Sequence, residues 1–286
     1  MSAPSIPHLV VSHWQLDPVP LIEASVLAGA YVWGAIRIGR RWPLHRTFSF
    51  LAGVGCVLVA LCSGLDAYDD RLLSVHMVQH MLLLLGAPLL LIAGRPLLLV
   101  MRALTPGARP AMARAIVRLR PLTGPLQALV FYCVVVAGTH LAWFYDQALS
   151  HPALHDVEHL LYLSSGSLLL WPLLDGEPAP SRRLGGLAKL GYLLVAMLPM
   201  AIVGAYLNRA TAVVYRPYAA AAHALGISAV NDQAQAGAIM WVVGNTVMIG
   251  IGLWAVMAAL SADERRQQAR DARLATVASG VQERRQ

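Results

Sequence analysis

An all-α integral membrane protein is what this sequence predicts: a bundle of seven helices with its N-terminus outside and its C-terminus in the cytoplasm. Three observations lead there. Hydrophobic residues are 57% of the 286 and charged ones 13%, against about 25% charged in soluble domains, too few to cover a water-facing surface. Seven apolar runs each approach the roughly 20 residues that a helix needs to cross a hydrocarbon core. All but Arg71, Arg209 and Arg216 of the 22 lysines and arginines fall in alternate connections or in the tail, the bias that marks cytoplasmic loops.

Residues 1–20 form an extracytoplasmic segment with neither the basic start nor the apolar stretch of a secretory signal, so the first span inserts uncleaved. Spans 1 and 2, residues 21–38 and 48–65, flank the cytoplasmic cations Arg37, Arg40, Arg41 and Arg46. Span 3, residues 72–93, contains Pro88, and span 6, residues 187–207, contains Pro199; each proline should kink its helix and free carbonyls. The connection 94–123 is basic and proline-rich, and its stretch 111–120 sets Arg114 and Arg118 on one face. That suits a helix on the anionic inner leaflet as well as it suits an ordinary basic loop. Span 4 covers residues 124–144. Span 5, residues 153–174, is opened by Pro152, with Ser150 or His151 as its cap. The next inner connection carries Arg182, Arg183 and Lys189. The outer connection 208–233, alanine-rich with Tyr215, Pro217, Tyr218 and His223, suits an interfacial helix beside an outer site. Span 7 covers residues 234–260, and completes a single transmembrane domain, residues 21–260. The charged tail 261–286 lacks aromatics and reads as a short helix that frays. The short alternating segments of a barrel are absent, there is no internal repeat, and the cations signal topology, so no nucleic-acid partner is expected.

Threaded this way, His76, His80, His140, His155, His159 and Asp232 all reach the outer side, from different spans. Polar groups in lipid are costly and mark function by default. His76 with His80, and His155 with His159, are i,i+4 pairs whose imidazoles share a helical face and can grip one ion. At about 1.5 Å rise per residue, His80, His140 and His159 can share a level near the outer leaflet. Neutral imidazole suits zinc, copper and iron. The plainer readings are open beside this one: a histidine bonded to a neighbouring carbonyl, an interhelical clasp, or Asp232 as the cap of span 7. Glu158 reads as a rim group or one that orients a ligand. Met77 and Met81 point partly away, and His8, His13, His45, His151 and His223 read as surface or loop residues. Glu23 and Asp66 can add charge to an outer cavity. Cys56, Cys62 and Cys133 lie in spans without a CxxC pair or a disulfide framework.

The run from His76 to Leu83 into Gly86-Ala87-Pro88 and Gly94-Arg95-Pro96 resembles the CtaG family, the caa(3)-type cytochrome c oxidase assembly factors. So do the His140 segment, the His151–His159 segment leading to Trp171-Pro172, Asp232-Gln233-Ala234 with Gly237 and Met240-Trp241, and the opening Trp14-Gln15-Leu16-Asp17-Pro18. The similarity runs from about Trp14 to Leu260. It implies a bacterial plasma-membrane protein that assembles haem–copper oxidases by supplying copper to subunit I, after taking it from an extracytoplasmic copper donor. By position it carries over His76, His80, His140, His155, His159 and Asp232 as the metal site. A single-span copper chaperone sometimes given the same name uses thiolates, and no such motif is present here.

Three functions compete. The first is a non-enzymatic metallochaperone for copper, with His80, His140 and His159 as main ligands and His76 and His155 as accessory ones. The second is a membrane zinc hydrolase with Asp232 or Glu158 as base. The third is a bis-histidine haem protein, which needs two histidines facing each other across a macrocycle. Adjacent i,i+4 pairs fit one compact ion better, so copper ranks first, zinc second and haem third.

Overall fold

The computed structural model describes residues 6–119, 121, 123–174 and 184–283; Arg120, Arg182, Arg183, Arg284 and Arg285, used above for topology, lie outside the described residues. Every regular element among the described residues is helical. The chain begins with a short helix, α1 (Ile6–Val11), where the sequence suggested no element. Leu9 explains it, fully buried against Leu65, Leu72 and Val75 at the end of the bundle. Asp17 then accepts the Val19 N–H at 2.9 Å and Pro18 takes the first turn, which caps α2 (Pro18–Ile38). After α3 (Leu44–Cys62) the chain turns back through Asp66–Tyr68 into α4 (Leu73–Met81). A π-helical turn, Leu82–Gly86, joins α4 to α5 (Ala87–Ala93), and α6 (Pro96–Ala103) follows. The expected surface helix is α7 (Arg109–Leu119), none of whose side chains is buried.

The second half holds α8 (Pro125–Thr139), α9 (Ala142–Ser150), α10 (Pro152–Leu173), α11 (Gly186–Arg209), α12 (Pro217–Ala224) and α13 (Ala229–Ala238). A second π-helical turn, Ile239–Gly244, leads into α14 (Asn245–Glu283). The tail does not fray after a short helix; α14 continues through it. The expected helix of the outer connection is α12, and α11 runs unbroken through Pro199.

Among the described residues, five helical stretches are long and apolar enough to cross a membrane: Pro18–Arg41, Leu44–Tyr68, Leu73–Ala103, Gly186–Arg209 and Ala229–Ala272. The pair α8 and α9, bent by 75°, makes a sixth if taken as one span. The expected span 4 is thus broken: α8 ends at Thr139, and the chain turns sharply at His140 and Leu141 before α9. Helix α10 spans 22 residues, but His155, Asp156, Glu158 and His159 make its N-terminal half too polar to count among these stretches by composition. It is instead the centre of the bundle, where Tyr162, Leu169, Leu170 and Leu173 are fully buried in the main core. Large apolar side chains such as Val26, Phe48, Val134, Leu194, Ile202 and Leu253 face outward, as lipid contact requires.

Pro88 has no N–H to give the Leu84 carbonyl, and the π-helical turn lies directly before it. Gly166 of α10 packs on that carbonyl so closely that a Cβ would overlap it. Gly166→Ala is therefore expected to push α10 off the π-helical turn that continues α4, with a loss of about 1–3 kcal/mol or more, read as a lower unfolding midpoint in detergent. An unchanged midpoint would show that this crossing does not hold the two helices together.

Candidate metal centre

Helices α4 and α10 present the i,i+4 pairs to each other. The His76 and His80 rings lie 4.1 Å apart, and the His155 and His159 rings 4.2 Å. Across the helices, His76 and His155 centroids are 5.1 Å apart and His80 and His159 5.9 Å. Ligand atoms of His76, His80, His155 and Glu158 all lie within 4.8 Å of one another, and those of Asp69, His155 and His159 do likewise. His155 belongs to both groups.

Hydrogen bonds set the tautomers. Tyr218 donates its phenol proton to the Asp69 carbonyl at 2.8 Å, so His76 Nδ1, also 2.8 Å from that phenol oxygen, is the donor to it. His76 Nε2 thus keeps its lone pair and accepts the His80 Nε2–H at 2.7 Å. The other polar atoms of the cluster have no such partners. His80 Nδ1, His155 Nε2, His159 Nε2 and both Glu158 oxygens are buried without a hydrogen bond. Leaving one such group unpaired costs about 1–3 kcal/mol, and a bundle interior rarely tolerates several side by side. Three imidazoles with a carboxylate suit zinc or copper, so the residues present fit a transition-metal ion.

Asp69 is the member that sequence reasoning missed. It lies in the loop between α3 and α4, its carboxylate 3.7 Å from His155 Nε2. Burial pushes its carboxyl up to about 8, with the charges of Asp66 and Asp70 adding to the effect. The signal was there in the acidic run Asp66, Asp69 and Asp70 just before the His76 pair. Glu158, expected as a supporting group, stands among the candidate ligands and is fully buried.

Two expected ligands are placed elsewhere. Asp232 accepts the Leu73 N–H at 2.7 Å, the Ser74 N–H and the Ser74 hydroxyl, and so caps α4 from another helix. It does not cap its own helix; Ser228 does that for α13. His140 closes α8 and gives its Nδ1–H to the Val136 carbonyl at 2.8 Å. Its Nε2 is buried and unpaired, but the ring stands behind Tyr145 and Tyr162, 6.2 and 6.4 Å away, and joins neither group of ligand atoms. Tyr162 donates to Thr139 Oγ1 at 2.6 Å and Tyr215 to the His140 carbonyl at 2.9 Å, which holds this wall in place. Met81 sulfur faces Gly244 on the far side, and Met77 is part of the main core.

Apolar helices that bury a cluster of imidazoles and carboxylates at one end define a class: a multi-helix membrane protein with an interior constellation that could hold a metal ion. The family model for cytochrome c oxidase caa3 assembly factors (Caa3_CtaG) matches residues 29–262, and the chain belongs to that family. It is similar to the uncharacterized protein ML1998 of Mycobacterium leprae, 27% identical over 80% of this chain and 36% of that protein. The uncharacterized protein Mb0105 of Mycobacterium bovis is also 27% identical, over 81% of this chain and 37% of its own length. The chain thus spans little more than a third of these curated relatives. No solved structure matches it.

Proposed function

We propose that this protein is a bacterial plasma-membrane metallochaperone that holds copper among His76, His80, His155 and Glu158 and supplies it to subunit I of a haem–copper oxidase. In this reading the chain crosses the membrane seven times, N-terminus outside, with α8 as the fourth crossing and α10 as the fifth. One observation carries the proposal: buried ligand atoms from two helices lie within reach of a single ion, with His80 Nδ1, His155 Nε2 and both Glu158 oxygens unpaired. Membership of an oxidase assembly family supports the oxidase as recipient. The protein's part is non-enzymatic: it orients the ligands, excludes water and releases the ion. Metal bonds of about 2.0–2.1 Å hold two nitrogens farther apart than the 2.7 Å between His76 and His80, so loading replaces their hydrogen bond. Coordination by imidazole and carboxylate without thiolate leaves the ion labile enough to hand on.

A zinc hydrolase is the second reading, favoured by three imidazoles beside the Glu158 carboxylate, the donor set of a catalytic zinc site. A haem is poorly served, because facing rings 5.1 and 5.9 Å apart leave no gap for a macrocycle. Elemental analysis of the detergent-purified protein is expected to find copper near one per chain. Cells lacking the protein should make oxidase with depleted copper that added copper restores. Zinc at full occupancy, with normal oxidase copper in the deleted strain, would overturn the proposal.

A further inference from the structure

A cleft of about 660 Å³ opens between the outer ends of α2 and α3 and the start of α10. Carboxylates of Asp17, Glu23, Asp66, Asp69 and Asp156 line it, and no lysine or arginine among the described residues does. His155 and His159 form its inner wall; His159 is 7% exposed and its Nε2 has no hydrogen-bond partner. His76, His80 and Glu158 are fully buried and do not line the cleft. The two groups of ligand atoms therefore differ in access: Asp69, His155 and His159 meet the cleft, and the inner group meets it only through His155.

We propose that this cleft is the port for a metal cation, which is held first by Asp69, His155 and His159 and then handed through His155 to His76, His80 and Glu158. The proposal rests on the metal-holding function above and adds its direction. A low-dielectric cleft of one charge sign concentrates counter-ions and raises association rates by about 10–1,000-fold. Asp69 and His159 trap the arriving cation where water still reaches. His155 then exchanges the outer carboxylate and imidazole for the inner ones, so the ion is never without a ligand. Sharing one imidazole also makes this a relay for a single ion rather than a binuclear store.

The test uses the full chain in detergent and Cu²⁺ alone, with loading followed by tryptophan quenching at low ionic strength. In the triple variant Asp17→Asn/Glu23→Gln/Asp66→Asn, none of the changed residues belongs to either ligand group, and the amide oxygen that Asp17→Asn leaves in place can still cap α2. Loading should slow at least about 10-fold and lose most of its salt dependence, with one ion still bound at saturation. His159→Ala should also slow loading yet retain one ion. Loading of the triple variant at the wild-type rate, or two ions bound per wild-type chain, would overturn the relay while leaving the metal function standing. A wild-type chain that binds no Cu²⁺ would remove both.

Discussion

His80→Ala is expected to lower copper affinity by more than about 100-fold, beyond the 10–100-fold that losing a group behind a ligand costs. His80 is fully buried, shares a helical face with His76 and belongs to the inner ligand group. The change removes a buried nitrogen, Nδ1, that has no hydrogen-bond partner as well as the bond from Nε2–H to His76, so the loss of fold stability should be smaller than the loss of affinity. Oxidase from cells carrying this variant should lack copper to the same degree as oxidase from the deleted strain. His140→Ala provides the contrast: its ring stands outside both ligand groups, and equilibrium binding should change less than 10-fold (about 1.4 kcal/mol). Equal losses in the two variants, measured by competition with a copper chelator, would show that the ligand set includes α8 after all.

Asp232→Ala should be among the most destabilising single changes, at about 2–4 kcal/mol. Its carboxylate satisfies two backbone amides at the start of α4 and the Ser74 hydroxyl, all of them buried. Loss of a helix cap costs about 0.5–2 kcal/mol, and each buried donor left unpaired adds about 1–3. Asp232→Asn retains an acceptor oxygen and should recover about half of the loss. Copper stoichiometry should survive in the amide variant, whereas a ligand carboxylate replaced by an amide would forfeit it. Unfolding midpoints and bound copper, measured on the same preparations, separate the two roles.

Much of this protein was legible in one dimension. Long apolar runs and alternating cations led to a helical membrane domain, and i,i+4 spacing put His76 with His80 and His155 with His159 on shared faces. The family followed from the same segments and the matching family model. The bend in span 4 escaped because hydropathy continues past Thr139 through Leu141, Ala142 and Phe144, although the backbone turns there. The π-helical turns escaped because they register in backbone hydrogen bonding and not in composition.

Residue type and periodicity determined which histidines share a helix face, because both are local properties of a chain wound at 3.6 residues per turn. Which helix faces which is non-local, and only the tertiary structure decided it. Gly166 seated on the Leu84 carbonyl brings α10 against the π-helical turn that continues α4, and that approach sets His155 and Glu158 beside His76 and His80. The same packing leaves His140 behind a wall of tyrosine and turns Asp232 to the amides of α4. A polar residue near the end of an apolar run looks the same in sequence whether it binds an ion or caps a helix. Its neighbours in space make the difference, and they lie as many as 159 residues away, as Asp232 does from Leu73.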